Sequence, residues 1–157
     1  MRTHTFLRST LLLLAISSPA LVRAQFQQPT AEELKMTSDP NAPGAAAVYL
    51  NIVEIANDPI HFQSFYARIK VLSEKGKDLA TVEVPYLRGN FKVRDIKGRT
   101  IHADGTIIPL VGKPEDLLIS KDKDRQIGRM VFTLPSVEVG SILEYQYVMG
   151  YDDNLYS

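Results

Sequence analysis

The chain has 157 residues, with 18 Lys and Arg, 18 Asp and Glu, three His, no Cys and no Trp. The lack of Cys removes disulfides, thiolate zinc sites, iron–sulfur clusters and Cys nucleophiles together. A formal net charge of zero and a pI near 6.8 argue against nucleic acid as a partner, since such binders carry a basic excess. With 45% hydrophobic and 23% charged residues the composition is that of an ordinary globular chain, long enough for one domain with a short arm.

The first 24 residues have the layout of a secretory signal. Arg2 and Arg8 form a positive start, Leu11 to Ile16 an apolar run, Ser17, Ser18 and Pro19 a break, and Val22-Arg23-Ala24 a small-residue cleavage site. The apolar run falls well short of the roughly 20 residues that span a bilayer. Cleavage is therefore expected after Ala24, with export to the periplasm or beyond and no membrane span left afterwards. No Cys follows the apolar run, which excludes a lipid-anchored lipoprotein. Cleavage removes three arginines and no acid. It leaves 133 residues with 15 basic and 18 acidic side chains, a mild net negative charge with no overall pull toward DNA or anionic lipid.

Residues 25–44 read as an arm. Thr30-Ala-Glu-Glu33 fits a capping box that opens one or two helical turns through Met36. Pro40, Pro43 and Gly44 stop any helix. From residue 45 to 157 the signals are those of strands. Ala46 to Ala56 is rich in β-branched residues, and Asn57-Asp58-Pro59 is turn chemistry. From Phe65 to Val71 the alternation predicts a half-buried strand, with Phe65, Ala67, Ile69 and Val71 inward and Tyr66, Arg68 and Lys70 outward. Leu79 to Val84 follows, with Pro85 ending the strand or placing it at an edge.

Phe91 to Ala103 predicts a further strand with a bulge at Gly98. Asp104-Gly105 is a hairpin turn, and Gly112 to Asp116 a loop. Leu117 to Ser120 is a short apolar stretch and Lys121 to Arg125 a solvated turn. Alternation returns at Met130, Phe132 and Leu134, and again at Leu143, Tyr145, Tyr147 and Met149. Seven or eight short strands without a long helical period predict an all-β antiparallel sandwich with one core. The expected core comprises Phe65, Ala67, Ile69, Val71, Val82, Val84, Ile101, Phe132, Leu134, Leu143, Tyr145 and Tyr147.

Chemistry is sparse. His102 and Asp104 lie two apart and could share a strand face as base and orienter, but Asp104 is also the expected turn residue before Gly105. His61 stands apart, and two separated His residues fall short of a catalytic zinc set. Asp122 and Asp124 lie between basic residues, and Asp152-Asp153-Asn154 sits near the chain end; neither gives the ligand run of a calcium loop. Tyr145 and Tyr147 read first as core and second as the lining of a groove. Common nucleotide, metalloprotease and hydrolase motifs are missing. No catalytic residue, cofactor or metal ligand is therefore assigned.

Four blocks together resemble a known family. They are Phe65 to Gly76, Ala80 to Tyr86, Arg99 to Thr106 and Phe132 to Tyr145, and they resemble the bacterial domain of unknown function 3857 over roughly residues 46–150. The resemblance implies an exported all-β domain of the kind found ahead of a transglutaminase-like domain. The Cys–His–Asp triad of that second domain has no counterpart in a chain without Cys. The family's β-domain usually runs further, so the chain is expected to be a truncated piece of it. The function expected from all of this is a non-catalytic accessory or binding domain, its partner a transglutaminase-like domain or an extended peptide strand. The alternative is a small hydrolase using His102 and Asp104.

Overall fold

The computed structural model of the protein describes residues 26–122 and 125–151. A single turn of helix, α1 (Ala31–Lys35), is opened by the predicted capping box. The Glu33 amide donates to Thr30 Oγ1 at 3.1 Å, and the Thr30 amide to Glu33 Oε2 at 2.8 Å. Eight strands follow: β1 (Ala47–Asn57), β2 (Phe62–Val71), β3 (Thr81–Leu87), β4 (Phe91–Ile101), β5 (Ile107–Pro109), β6 (Glu115–Lys121), β7 (Gln126–Thr133) and β8 (Ile142–Tyr151). They form two antiparallel sheets: five strands in the order β1-β2-β8-β4-β5, and three in the order β3-β7-β6.

The connections obey the turn chemistry. Pro59 lies in a 3-10 turn over Asp58–Ile60 that joins β1 to β2, and His61 closes it in the left-handed region at φ 51°. At the β4–β5 hairpin the His102 amide donates to the Thr106 carbonyl and the Gly105 amide to the His102 carbonyl, both at 2.9 Å. Gly105 has φ 88°, which a residue with a Cβ adopts only with strain. Strand β8 closes the large sheet by pairing with β2 on one side and β4 on the other.

The core lies between the sheets. Ala67, Ile69 and Val71 of β2 and Leu143 and Tyr145 of β8 pack against Val82, Val84, Phe132 and Leu134. Phe65 and Tyr147 are half-buried at its margin. Ile101 is fully buried, yet it lies on the other face of the large sheet, opposite Ile142.

Several expectations are corrected. The strand at residues 65–71 is not half-buried: Arg68 and Lys70 are 3% and 0% exposed, because the arm covers their face. The irregularity in β4 falls between Arg94 and Lys97, where Asp95 takes φ 54°. Gly98 pairs regularly with Tyr145, and a Cβ there would come within 2.5 Å of the Leu134 side chain, so its missing side chain serves packing. Glu115 and Asp116 belong to strand β6, and Leu79 and Ala80 belong to a 3-10 segment that precedes β3. Pro85 continues β3, which is an edge strand of the small sheet. Residues 1–24, Asp124 and Asp152-Asp153-Asn154 lie outside the described residues. No helix among the described residues is long and apolar enough to cross a membrane.

Candidate functional site

The side chains of highest chemical interest gather on the outer face of the large sheet, away from the core. Alternation along β2 sends Tyr66, Arg68 and Lys70 to this face. Antiparallel register sets Glu144 of β8 directly opposite Arg68, and Arg99 of β4 directly opposite Glu144. Three neighbouring strands thus place a cation, an anion and a cation in one row.

Glu144 is fully buried and has three side-chain donors. Its Oε1 accepts from Arg68 Nη1 at 2.9 Å and from the Tyr66 hydroxyl, and its Oε2 accepts from Arg99 Nε at 2.5 Å. The arm closes the row from above. The Gln27 carbonyl accepts from both Arg68 and Arg99, and Glu33 Oε2 accepts from Arg68 Nη2 at 2.8 Å. Lys70 donates to the Leu34 carbonyl at 2.9 Å and to the Gly140 carbonyl at 2.6 Å. The Phe26 ring lies 5.0 Å from the Arg99 guanidinium, a cation–π contact. These bonds answer the main cost of burying three cations, which is loss of hydration.

The electrostatics follow from the same contacts. Burial pushes the Tyr66 hydroxyl up, the Glu144 carboxylate beside it adds to the rise, and the value reaches about 12. Tyr145, buried in the core near Tyr49 and Tyr147, is also pushed up to about 12. Burial works against the charge of Glu33, but the Thr30 amide and Arg68 outweigh it and hold the carboxyl below its usual value. Burial lowers Lys70, with Glu33 opposing. A phenolate titration of the folded protein is expected to show two tyrosines lagging to about pH 12. Their raised values stabilise the fold fully below about pH 10, and that contribution disappears as pH climbs through about 12. Seven tyrosines titrating together near pH 10 would contradict this burial.

Beyond the arm the outer face remains open as a groove of about 400 Å³. Tyr66, Ser64 and Gln146 form a polar floor, Val53, Ile55, Phe62 and Val148 an apolar wall, and Phe26 one end. Tyr145 lies in the core and Tyr147 at its margin, where its ring stacks on Phe65 with centroids 5.3 Å apart, so the core reading describes the side chains of the pair. Strand β1, on one flank, is with β5 one of the two edge strands of the large sheet among the described residues. Its Tyr49, Ile52, Val53 and Ile55 are each 40–53% exposed.

His102 and Asp104 share the β4–β5 hairpin, but each has its own partner. His102 Nε2 donates to the Ser136 carbonyl at 2.7 Å, with Nδ1 4.0 Å from Glu138. Asp104 Oδ1 accepts from the Thr106 amide at 2.8 Å, and that bond lowers its pKa. No hydrogen bond between the two is found among the described residues. His61, which closes the turn before β2, packs on the Tyr151 ring with centroids 5.2 Å apart. The Asp122 amide donates to the Arg125 carbonyl at 2.8 Å within its hairpin. Among the described residues no three His, Asp or Glu side chains converge as a metal site requires. Arg68, Arg99, Glu144 and Glu33 were not among the site candidates legible in the sequence, where Glu33 read as a helix cap and Arg68 as a solvent-facing strand residue. Their signal was charged residues embedded in strand runs without turn chemistry, next to an arm with its own acid.

Comparison with known proteins gives a family and a fold. The sequence pattern described as "Domain of Unknown Function with solved-structure structure (DUF3857)" matches residues 64–156. No curated protein matches. A crystal structure from Parabacteroides distasonis, described as a "putative protease", is similar with a TM-score of 0.58 and 16% identity over 71% of this chain. The chain spans 24% of the length of that protein.

Proposed function

This chain belongs to the DUF3857 family, whose description names no reaction, and from that premise we propose that it is an exported, non-catalytic accessory domain that binds an extended segment of a neighbouring domain along the free edge of β1. The observation that carries this is the edge itself. Strand β1 runs for 11 residues and exposes apolar side chains on both faces, Tyr49 and Ile52 on one, Val53 and Ile55 on the other. That is the composition of an interior strand. Among the described residues its outer backbone groups have no strand partner, and they form a template for strand addition. The longer Parabacteroides chain, in which a stretch of this fold makes up about a quarter, supports a domain that accompanies others. The four sequence blocks support a transglutaminase-like neighbour.

A second copy of the protein can stand in for the neighbour. Two β1 edges paired about a two-fold axis would form one continuous sheet. Sedimentation is expected to show concentration-dependent association, and Tyr49→Lys with Ile52→Lys is expected to weaken it at least tenfold, since edge lysines block strand pairing. Association unchanged by that double substitution would overturn the reading, as would a strictly monomeric wild type. The hydrolase alternative has its own check. His102→Ala should leave association intact, whereas turnover on a peptidase and esterase panel that falls a hundredfold in this variant would favour catalysis. For export, the intact mass of the secreted form is expected to begin at Gln25.

A further inference from the structure

The outer face of the large sheet has a second, independent feature. Past the arm, β4 sends Arg94 and Lys97 to the same side as Arg99. Arg94 is paired in register with Val148 and Lys97 with Gln146, and both of those β8 residues line the groove. The Arg94 guanidinium reaches over Gly150, where a Cβ would lie 3.7 Å from its Nε. Both cations are exposed, and the acid bonded to Arg94 is its neighbour Asp95, at 3.2 Å and itself 58% exposed. The groove therefore has a cationic flank on β4 and an apolar flank on β1, where Val53 and Ile55 stand.

We propose that this groove is a docking site for an extended polypeptide segment of a partner in which acidic and apolar residues alternate. The inference rests on the reading of the domain as a binding module, but on a surface separate from the edge that Tyr49 and Ile52 test. The spacing of the two cations fits such a segment. Val148 and Gln146 are two residues apart, so their partners Arg94 and Lys97 stand about 7 Å apart. Side chains at i and i+2 of an extended segment have that same spacing. They point to one side while those at i+1 and i+3 point to the other. Carboxylates would then meet β4 while apolar side chains meet Val53 and Ile55.

The groove is also continuous with the arm's own seat on the sheet. The arm already lies on this face by the same chemistry, with its carbonyls and the Glu33 carboxylate on Arg68, Lys70 and Arg99 and the Phe26 ring on Arg99. The groove begins where the arm's Phe26 and Gln27 end. Residues 1–25, which precede them, contain Arg2, Arg8 and Arg23 and no acid. Charge complementarity thus disfavours that basic N-terminal segment and favours an acidic one.

The test uses the full chain and three fluorescent decapeptides, alternating Glu with Val, Lys with Val, and Glu with Ser. Fluorescence anisotropy is expected to show the Glu–Val peptide binding at least tenfold more tightly than the other two. Arg94→Glu with Lys97→Glu should weaken it at least tenfold, as should Ile55→Asp. Circular dichroism should stay unchanged, since all three residues are exposed. Tyr49→Lys with Ile52→Lys should leave this binding within threefold, so failure of the edge reading and failure of the groove are distinguishable. Equal binding of the Glu–Val and Lys–Val peptides, no binding of either, or no effect of the β4 and Ile55 substitutions would overturn the proposal. So would binding of phosphatidylglycerol vesicles in place of the peptides, which would identify the face as a membrane surface.

Discussion

Glu144→Ala is expected to destabilise the fold by about 3–5 kcal/mol, measured by urea titration, because it leaves buried cations without their counter-charge. Glu144 is 0% exposed, and the guanidinium groups of Arg68 and Arg99 both bond to it. Without it Arg68 keeps Glu33, and Arg99 keeps the Gln27 carbonyl and the Phe26 ring. Carbonyl and ring contacts do not neutralise charge, so the burial cost of Arg99 is no longer offset. The arm should loosen as a consequence, since it is held largely by these same guanidinium groups. Glu33→Ala is the control. Its carboxylate lies at the margin, 23% exposed, so its loss should cost about 1 kcal/mol, as for a partly solvated pair. A cost below about 1 kcal/mol for Glu144→Ala would mean that this row of charges is hydrated.

Phe132→Ala is expected to cost a similar amount, about 3–5 kcal/mol, by a different mechanism. Phe132 is 4% exposed and projects from the small sheet into the space between the layers, edge-on to Tyr145 of the large sheet with ring centroids 5.7 Å apart. Truncation removes both the buried apolar surface and the edge-to-face contact, and leaves a cavity that two sheets can close only in part. Thr133, next in the chain, faces outward, with its hydroxyl 3.1 Å from that of Thr81. Thr133→Ala should therefore change stability by less than about 1 kcal/mol. A denaturant titration that ranks the two substitutions equally would contradict the assigned faces of β7.

The faces of the sandwich were legible in the sequence wherever one side of a strand is apolar. The period of two at Phe65 to Val71 and at Leu143 to Met149 located the core side of β2 and β8, and Asp104-Gly105 located a hairpin. What alternation could not convey is what lies on the opposite side. Arg68, Lys70, Arg99 and Glu144 read locally as solvent-facing charges, since a polar residue in an alternating strand has the same pattern in water or beneath an arm. Their burial depends on contacts with Gln27, Glu33 and Leu34, which lie 34 or more residues away in the chain. The capping box of α1 was legible for the converse reason: Thr30 and Glu33 satisfy each other within one turn. The groove has no local signature, because its lining is shared among β1, β2, β8 and the arm.

Amide hydrogen exchange along β1 tests the central claim most directly. If β1 is the binding edge of the domain, its outer amides report the contact. In dilute protein, amides on the side of β1 away from β2 should exchange freely. At concentrations where the protein associates, those same amides should become protected, with the edge amides of β6 unchanged. Protection that is equal along β1 at all concentrations, or that develops at β6 in its place, would contradict it.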